Sequence, residues 1–151
     1  MATILVSACL LGLATRYDGR SFPCQEVIDL IKDHDLIPVC PEQAGGLPTP
    51  RTPSERVGDK VLMRDGTDVT EQYNKGASSA LYLAELYHAD LAILKSSSPS
   101  CGVGTIYDGS FTGNKCNGNG ITADLLISKG IPVYTENDID EIKAFISQVS
   151  S

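Results

Sequence analysis

Several common metal and cofactor motifs are missing from this sequence. No Cys-x-x-Cys pair occurs, which argues against zinc ribbons, zinc fingers and thioredoxin-type redox pairs. The two histidines, His34 and His88, stand at the ends of predicted helices, so a histidine-based metal site is not indicated. No Gly-x-Gly-x-x-Gly follows the first apolar run, which argues against a dinucleotide cofactor. Arg16 stands one position too far from Cys9 for a phosphatase-type phosphate cradle.

Positive charge is also scarce. The chain has 12 lysines and arginines against 19 aspartates and glutamates, a formal net charge of −7. Such a surface repels phosphate backbones, so we expect a small neutral or weakly charged ligand and no nucleic-acid polymer as partner. The chain has no basic-then-apolar leader and no apolar run long enough to span a bilayer. We therefore expect no membrane partner and a cytoplasmic protein.

The five cysteines carry the main functional signal. An odd number in a reducing compartment indicates metal, cluster or catalytic use rather than disulfides. Cys9 and Cys40 each end a strand-like run, and Cys101 follows a third run, 91–94, after a Ser/Pro turn. Ligands bind at the carboxyl ends of strands in open α/β sheets, so we expect these three thiols to gather at one edge.

Apolar runs alternate with segments of helical spacing along the chain. This order predicts an α/β fold, a small Rossmann-like three-layer sandwich with a mostly parallel sheet, formed by a single domain over 1–151. A Pro/Gly loop without regular structure is expected over 41–53. The predicted strands are 4–8, 36–40, 91–94 and 131–134, with 61–63 as a short edge strand, and the predicted helices are 24–32, 70–88 with Thr70 as N-cap, a segment from Asn119 or Thr122 to Gly130, and 138–149.

The spacing of the three cysteines allows two interpretations, and both stay open at this point. Three thiolates could hold an iron–sulfur cubane, a cluster that four thiolates usually bind, and would leave one iron open as a Lewis acid. Alternatively, the three cysteines are independent buried thiols, because free cysteine is among the most buried residue types.

Nine segments of the chain resemble a bacterial family that was long labelled a domain of unknown function and that includes the thiouracil desulfidases. The resemblance covers essentially the whole chain, and the segments around the three cysteines are highly specific in combination. The segments are Val6–Gly12, Arg16–Gly19, Pro38–Gln43, Gly45–Arg51, Asp68–Thr70, Gly76–Ala77, Leu94–Lys95, Ser98–Gly102 and Ile106–Gly113.

The resemblance implies a [4Fe–4S] cluster on Cys9, Cys40 and Cys101, with the fourth iron free to bind the sulfur of a thiolated nucleobase. It implies an enzyme, a desulfidase or hydrolase-type lyase acting on a C=S group. The expected reaction is a non-redox desulfuration of a 2-thiouracil-like thiocarbonyl that releases hydrosulfide. Cys24 and Cys116 lie outside the matching segments and are interpreted as ordinary thiols.

Candidate catalytic and binding residues lie next to these cysteines. Glu42, two residues after Cys40, is the candidate general base or acid, although a carboxylate exposed on the loop fits the same position. Ser98 and Ser100 are candidate hydrogen-bond donors to the attacked centre or to a cluster sulfur, or else they only form the Ser-Pro turn. Arg51 is expected either to hold the pyrimidine carbonyl or to pair with a carboxylate.

Four further residues, Tyr17, Asp18, Tyr107 and Asp108, are expected to line the pocket, although Asp-Gly turns explain the aspartates equally well.

Three other functions compete with the desulfidase hypothesis. They are a non-enzymatic iron–sulfur or metal-binding sensor or sulfur carrier, a cubane-dependent hydratase-like enzyme, and a cluster-free domain with a nucleophilic cysteine. The long loop after Cys40 favours a substrate pocket over a simple binder.

Overall fold

A parallel sheet forms the centre of the computed structural model, which describes residues 1–149. Its strands are β1 (Thr3–Ser7), β2 (Asp35–Val39), β5 (Leu91–Leu94) and β8 (Val133–Thr135). They run in the order β2, β1, β5, β8, and every neighbouring pair is parallel. The register places Ile4 of β1 opposite Leu36 on one side and Leu91 on the other.

Helices cover both faces of this sheet. They are α1 (Gln25–Ile28), the single turn α2 (Pro41–Ala44), α3 (Thr70–Leu86), α4 (Ile121–Ser128) and α5 (Ile139–Val149). Ile4 packs on one face with Val27 of α1 and Ile142 of α5. Leu5 points to the other face and packs with Ala80 of α3, because successive side chains of a strand alternate between faces. The predicted α/β three-layer fold with a mostly parallel sheet is thus confirmed.

Two antiparallel hairpins stand apart from the central sheet. They pair β3 (Ser54–Val57) with β4 (Lys60–Met63), and β6 (Thr105–Tyr107) with β7 (Lys115–Asn117). Glu55 joins the two hairpins, because its Oε1 accepts hydrogen bonds from the backbone N–H groups of Gly109 at 2.9 Å and Phe111 at 3.2 Å. Residues of both hairpins line a cavity at the carboxyl edge of the central sheet.

The structure corrects three of the predicted elements. The segment 61–63 is not an edge strand of the sheet, since it pairs with β3, and Gly58 at φ +61° permits the tight turn between them. The loop 41–53 begins with α2, because proline at the first helical position already has a helical φ. The Thr70 hydroxyl does not cap α3. It accepts a hydrogen bond from the Val61 N–H at 2.9 Å instead.

The helix predicted over 24–32 is α1 followed by a 3-10 turn over Asp29–Lys32, and the remaining predicted helices and strands agree with the structure to within two residues at each end. The hairpin of β6 and β7 was not predicted, because its short strands are mostly polar and exposed. Residues 150–151 of the predicted domain lie outside the described range. Among residues 1–149, no helix combines the length and the apolar composition that crossing a membrane requires.

Candidate active site

Three free thiols meet in one cavity at the carboxyl edge of the sheet. Cys9 follows β1, Cys40 follows the neighbouring β2, and Cys101 follows β5 on the other side of β1. All three line a cavity of about 450 Å³, a size typical of small-molecule sites. Cys9 and Cys101 are buried, Cys40 is half-buried, and none of them forms a disulfide. The structure therefore brings together the three cysteines that their positions at strand ends singled out.

Short turns fix Cys9 and Cys40 at the sheet edge. Cys9 lies in a 3-10 turn, 8–11, which ends at Gly12 with a φ of +100° that favours glycine. The Gly12 N–H donates a hydrogen bond to the Cys9 carbonyl at 3.2 Å. Cys40 occupies the N-cap position of α2, and its Sγ lies 3.7 Å from the Thr15 carbonyl oxygen. Both thiols thus reach the cavity from hydrogen-bonded turns that directly follow strands.

A serine turn and a strand-end serine hold Cys101. Ser98 Oγ accepts hydrogen bonds from the N–H of Ser100 at 3.1 Å and of Cys101 at 3.0 Å, which closes the turn. Ser7 Oγ lies 3.6 Å from Cys101 Sγ and accepts a hydrogen bond from the Lys95 N–H at 2.9 Å. Sequence reasoning missed Ser7, because its partners Lys95 and Cys101 follow β5, far away in the sequence.

Burial keeps the free thiols protonated. Burial and the neighbouring Cys40 raise the pKa of Cys9 to about 11, against the lowering effect of Lys95 and Arg16. Burial raises the pKa of Cys101 to about 12, against the lowering effect of its hydrogen bond with Ser7. Protonated thiols are poor nucleophiles, which argues against a cluster-free enzyme that attacks through one of these two cysteines.

The donor set fits an iron–sulfur cluster better than a single ion. Within residues 1–149, no group of three His, Cys, Asp or Glu side chains is arranged to hold one metal ion. Three cysteines converging on one cavity supply the soft thiolate ligands that iron–sulfur clusters require. A coordinated thiol loses its proton to the metal centre, so the raised pKa values of the free thiols do not oppose binding.

Glu42 enters the cavity between two fixed partners. Its Oε1 accepts a hydrogen bond from Tyr73 OH at 2.7 Å and forms an ion pair with Arg51 Nε at 3.0 Å. No other hydrogen bond of Glu42 side-chain atoms is found within residues 1–149, so Oε2 has no protein partner there. Burial, then the charge of Glu42, holds the pKa of Tyr73 far above its usual value, so Tyr73 remains a donor.

The guanidinium of Arg51 forms its hydrogen bonds with groups of the protein and does not extend into the open cavity. Its side chain is 3% exposed, and besides Glu42 it donates hydrogen bonds to the Thr15 carbonyl at 2.9 Å and to Thr49 Oγ1 at 2.9 Å. Of the two roles expected for Arg51, the structure thus favours pairing with a carboxylate. The guanidinium also ties the loop after Cys40 to the loop after Cys9.

Close backbone packing places Glu42 beside Tyr73. A Cβ on Gly76 of α3 would lie 1.8 Å from the Pro41 carbonyl oxygen, and one on Gly45 would lie 2.0 Å from the Gln72 carbonyl oxygen. Only glycine permits α2 and α3 to approach so closely. The turn that carries Cys40 and Glu42 is therefore held against α3 by backbone contact.

The cavity lining is cationic although the chain is acidic. It includes five cationic side chains and two carboxylates, namely Arg16, Arg51, Arg64, Lys95 and Lys115 against Glu42 and Glu55. Lys95 Nζ lies 3.1 Å from Glu136 Oε2 and 4.5 Å from the centre of the Phe22 ring. The Arg16 guanidinium lies 5.6 Å from the same ring and has no ion pair or hydrogen bond within the described part of the chain. The expectation of a neutral or weakly charged ligand was based on the negative net charge of the whole chain. The charge of the cavity lining has the opposite sign.

Comparison with known proteins agrees with this geometry. The family model described as 2-thiouracil desulfurase matches residues 4–138. The chain belongs to the 2-thiouracil desulfurase family. The uncharacterized protein YbbK of Bacillus subtilis (strain 168) is 40% identical to it over 149 residues, 92% of this chain and 99% of YbbK. A solved structure named [4Fe-4S]-dependent thiouracil desulfidase TudS is 43% identical, with a TM-score of 0.93 over 98% of this chain and 99% of that chain. The predicted family is confirmed.

In this member of the 2-thiouracil desulfurase family, most of the predicted site residues line the cavity. They are Cys9, Tyr17, Cys40, Glu42, Arg51, Ser98, Cys101 and Tyr107. Tyr73 and Lys95, which sequence reasoning missed as site residues, line it as well. Tyr73 follows a helical core pattern and Lys95 only ends a strand, so neither gave a local signal.

Three predicted residues lie outside the cavity lining of this family member. Ser100 is fully buried, with its Oγ 2.7 Å from Thr122 Oγ1, and its side-chain hydrogen bond, like that of Ser7, lowers the pKa of the Cys101 thiol, so a role as donor to a cluster sulfur stays a prediction. Asp18 and Asp108 accept backbone hydrogen bonds from Arg20 and Ser110 in their own turns. The alternative explanation through Asp-Gly turns therefore fits both aspartates. Cys24 and Cys116 also lie outside the lining, as expected.

Proposed function

We propose that this protein is a [4Fe–4S]-dependent desulfidase that removes the sulfur of a small 2-thiouracil-like thiocarbonyl compound and releases hydrosulfide. The observation that carries the proposal is the convergence of three free thiols and one partly unpaired carboxylate in a single cavity. Membership of the 2-thiouracil desulfurase family and the name of the TudS structure support the same reaction and the same cofactor.

Cys9, Cys40 and Cys101 would hold the cluster, each from the end of a different strand. When bound, such a cluster supplies an iron without a protein ligand, a Lewis acid to which the substrate sulfur can bind. Three thiolates rather than four are what this chemistry requires, because a fourth thiolate would close that position. The rest of the chemistry falls to side chains of this chain.

Glu42 is the proposed general base. Tyr73 and Arg51 hold its Oε1, which leaves Oε2 to take a proton from a water molecule in the cavity. The water oxygen adds to the thiocarbonyl carbon, the C–S bond breaks, and the sulfur leaves as hydrosulfide while C=O replaces C=S. No electrons are gained or lost in this balance, so a hydrolase-type class fits it.

Ser98 is the proposed hydrogen-bond donor. Its Oγ already accepts two backbone N–H bonds, so its own proton is free to point into the cavity that it lines. The cationic side chains Arg16 and Lys95 stabilise the negative charge that collects on the departing sulfur. Tyr17 and Tyr107 supply aromatic walls of the kind on which a planar pyrimidine stacks.

Anaerobic reconstitution followed by a hydrosulfide assay on 2-thiouracil tests the proposal. We expect about four irons per chain and hydrosulfide release. Replacing Cys9, Cys40 or Cys101 with alanine should abolish cluster binding, whereas Cys24→Ala, the matched control, should retain it. Stoichiometric zinc without iron would refute the cluster, and a loaded protein that releases no hydrosulfide from any thiolated compound would indicate a sensor or carrier.

Glu42→Gln separates the proposed base from the cluster ligands. The amide keeps the size of the side chain and can still accept from Tyr73, but it cannot take a proton. We expect a normal cluster spectrum with turnover reduced about 10²- to 10⁴-fold, the usual contribution of a general base. Normal turnover in this variant would remove Glu42 from the reaction.

A further inference from the structure

Ser7 makes contacts that its position in the chain does not require. It is the last residue of β1, it is 4% exposed, and it occupies the N-cap position of the turn that contains Cys9. An N-cap serine normally accepts a hydrogen bond from the backbone N–H two or three residues later. No such bond is formed by the Ser7 side chain. The hydroxyl reaches across to the neighbouring strand instead.

Two contacts with residues that follow β5 define the direction of the Ser7 hydroxyl. Its Oγ accepts the Lys95 N–H at 2.9 Å and lies 3.6 Å from Cys101 Sγ. A hydroxyl has one proton, and the backbone N–H cannot accept it. The proton is therefore available to Cys101 Sγ, and both partners are buried away from competing water.

We propose that Ser7 is a positioning residue that donates a hydrogen bond to the sulfur of Cys101 and so sets the charge on that one cluster ligand. This inference rests on the proposed function as far as the cluster is concerned. A hydrogen bond to a ligand sulfur withdraws negative charge from it, which raises the reduction potential of an iron–sulfur cluster and strengthens the hold of the protein on it. Cys9 and Cys40 have no side-chain hydroxyl donor within residues 1–149, so the three ligands are not equivalent.

Four variants separate the hydrogen bond from the structural role of Ser7. Ser7→Ala removes the donor, and Ser7→Val removes it in a side chain that is isosteric with the rescue variant Ser7→Thr. The matched control Thr135→Val removes a buried hydroxyl at the end of β8, a strand that pairs with β5 and not with β1. If Ser7→Ala fails to fold, the comparison of Val with Thr at position 7 decides the question.

On the loaded protein, the readouts are the midpoint potential and the rate of cluster loss to an iron chelator under anaerobic conditions. We expect the alanine and valine variants to have a lower potential and to lose the cluster about 10- to 100-fold faster, as loss of one hydrogen bond to a charged group implies. The Ser7→Thr and Thr135→Val proteins should match the original protein. Equal potentials and loss rates in all four variants would overturn the inference.

A measurement without iron keeps this test independent of the proposed function. Cys101 and Cys9 are alkylated with iodoacetamide in the cluster-free protein, and peptide mass spectrometry gives the ratio of their rates. Loss of the donor should lower the ratio of Cys101 to Cys9 severalfold in the alanine and valine variants, with recovery in Ser7→Thr. If the original protein takes up no iron, the proposed function fails, and this ratio alone still confirms or overturns the role of Ser7.

Discussion

Gly76→Ala tests whether backbone packing positions the site. A Cβ at Gly76 would lie 1.8 Å from the Pro41 carbonyl oxygen and 2.7 Å from its carbon, whereas real Cβ atoms essentially never approach within 3.0 Å. Both clashing atoms are backbone and cannot rotate away. The variant must therefore move the Pro41 carbonyl by about 1.2 Å, the difference between 3.0 and 1.8 Å.

Two effects of opposite sign decide the stability of this variant. Replacing a mid-helix glycine with alanine stabilises an unstrained helix by about 1 kcal/mol. Forcing one extra carbon into a close-packed contact costs about 1 to 3 kcal/mol. Because the clash involves two backbones, we expect the cost to prevail and the free energy of unfolding to fall by up to about 2 kcal/mol.

The effect on turnover follows from the neighbours of Pro41. Cys40 and Glu42 flank it in sequence, so a shift of its carbonyl moves a cluster ligand and the proposed base together. Misplacement by about 1 Å at a reacting centre costs on the order of 10²-fold in rate, which is the loss we expect in hydrosulfide release.

Urea unfolding of the cluster-free protein and the hydrosulfide assay measure the two effects. Ser78→Ala, an exposed change two positions along the same helix, is the matched control; it should leave turnover unchanged and raise stability by at most about 0.5 kcal/mol, the propensity difference between serine and alanine. A Gly76→Ala protein that is more stable by about 1 kcal/mol and keeps normal turnover would refute the reasoning, because helix propensity alone would then explain it.

Three further predictions concern the groups around the cavity. Tyr73→Phe removes the hydroxyl that donates to Glu42 at 2.7 Å. Urea unfolding should show a loss of about 1.5 to 3 kcal/mol in the free energy of unfolding, and the hydrosulfide assay should show slower release. No change in either measurement would contradict the contact. Arg51→Lys keeps the positive charge but loses the planar guanidinium that contacts both Glu42 and the Thr15 carbonyl, so urea unfolding and the hydrosulfide assay should show lower stability and slower turnover. If both stay unchanged, the positive charge alone is sufficient at this position. In the cluster-free protein, the contribution of Cys9 and Cys101 to stability should be fully present below about pH 9 and be lost as the pH rises from 9 towards 11 and 12, because their pKa values are raised only in the folded state. Urea unfolding between pH 8 and 11, about the range of these pKa values, measures that slope, which the Cys9→Ala/Cys101→Ala double variant should lack.

Local pattern was sufficient to predict the sheet and the three thiols. Each strand is a short apolar run, and a cysteine at its carboxyl end must lie at the ligand edge once the sheet is parallel. This rule alone was enough to predict that Cys9, Cys40 and Cys101 lie together, without knowledge of tertiary contacts. The same rule could not distinguish Ser98 from Ser100, because the two serines flank one proline symmetrically and only the geometry of the turn separates them.

Contacts between distant segments account for what was missed. Tyr73 lies 31 residues from Glu42 and has the spacing of an ordinary core residue of α3. Ser7 lies 94 residues from Cys101 and meets it only because β1 and β5 are neighbours in the sheet. Residue type and spacing along the chain contain no record of such pairs, so the positioning residues of a site are harder to predict than its ligands.

Net charge was a poor guide to the cavity for a related reason. The value of −7 averages over the whole surface, whereas electrostatic interactions are stronger in a concave region of low dielectric than on an open surface. Three thiolates would concentrate negative charge at the strand ends, and Cys40 already raises the pKa of Cys9. Lys95 and Arg16 act on Cys9 in the opposite direction, so the cations of the lining offset the charge that the ligands and a departing sulfur bring there. The acidic remainder of the surface should still repel a polyanion, so a cationic cavity is compatible with the prediction that a nucleic-acid polymer is not a partner.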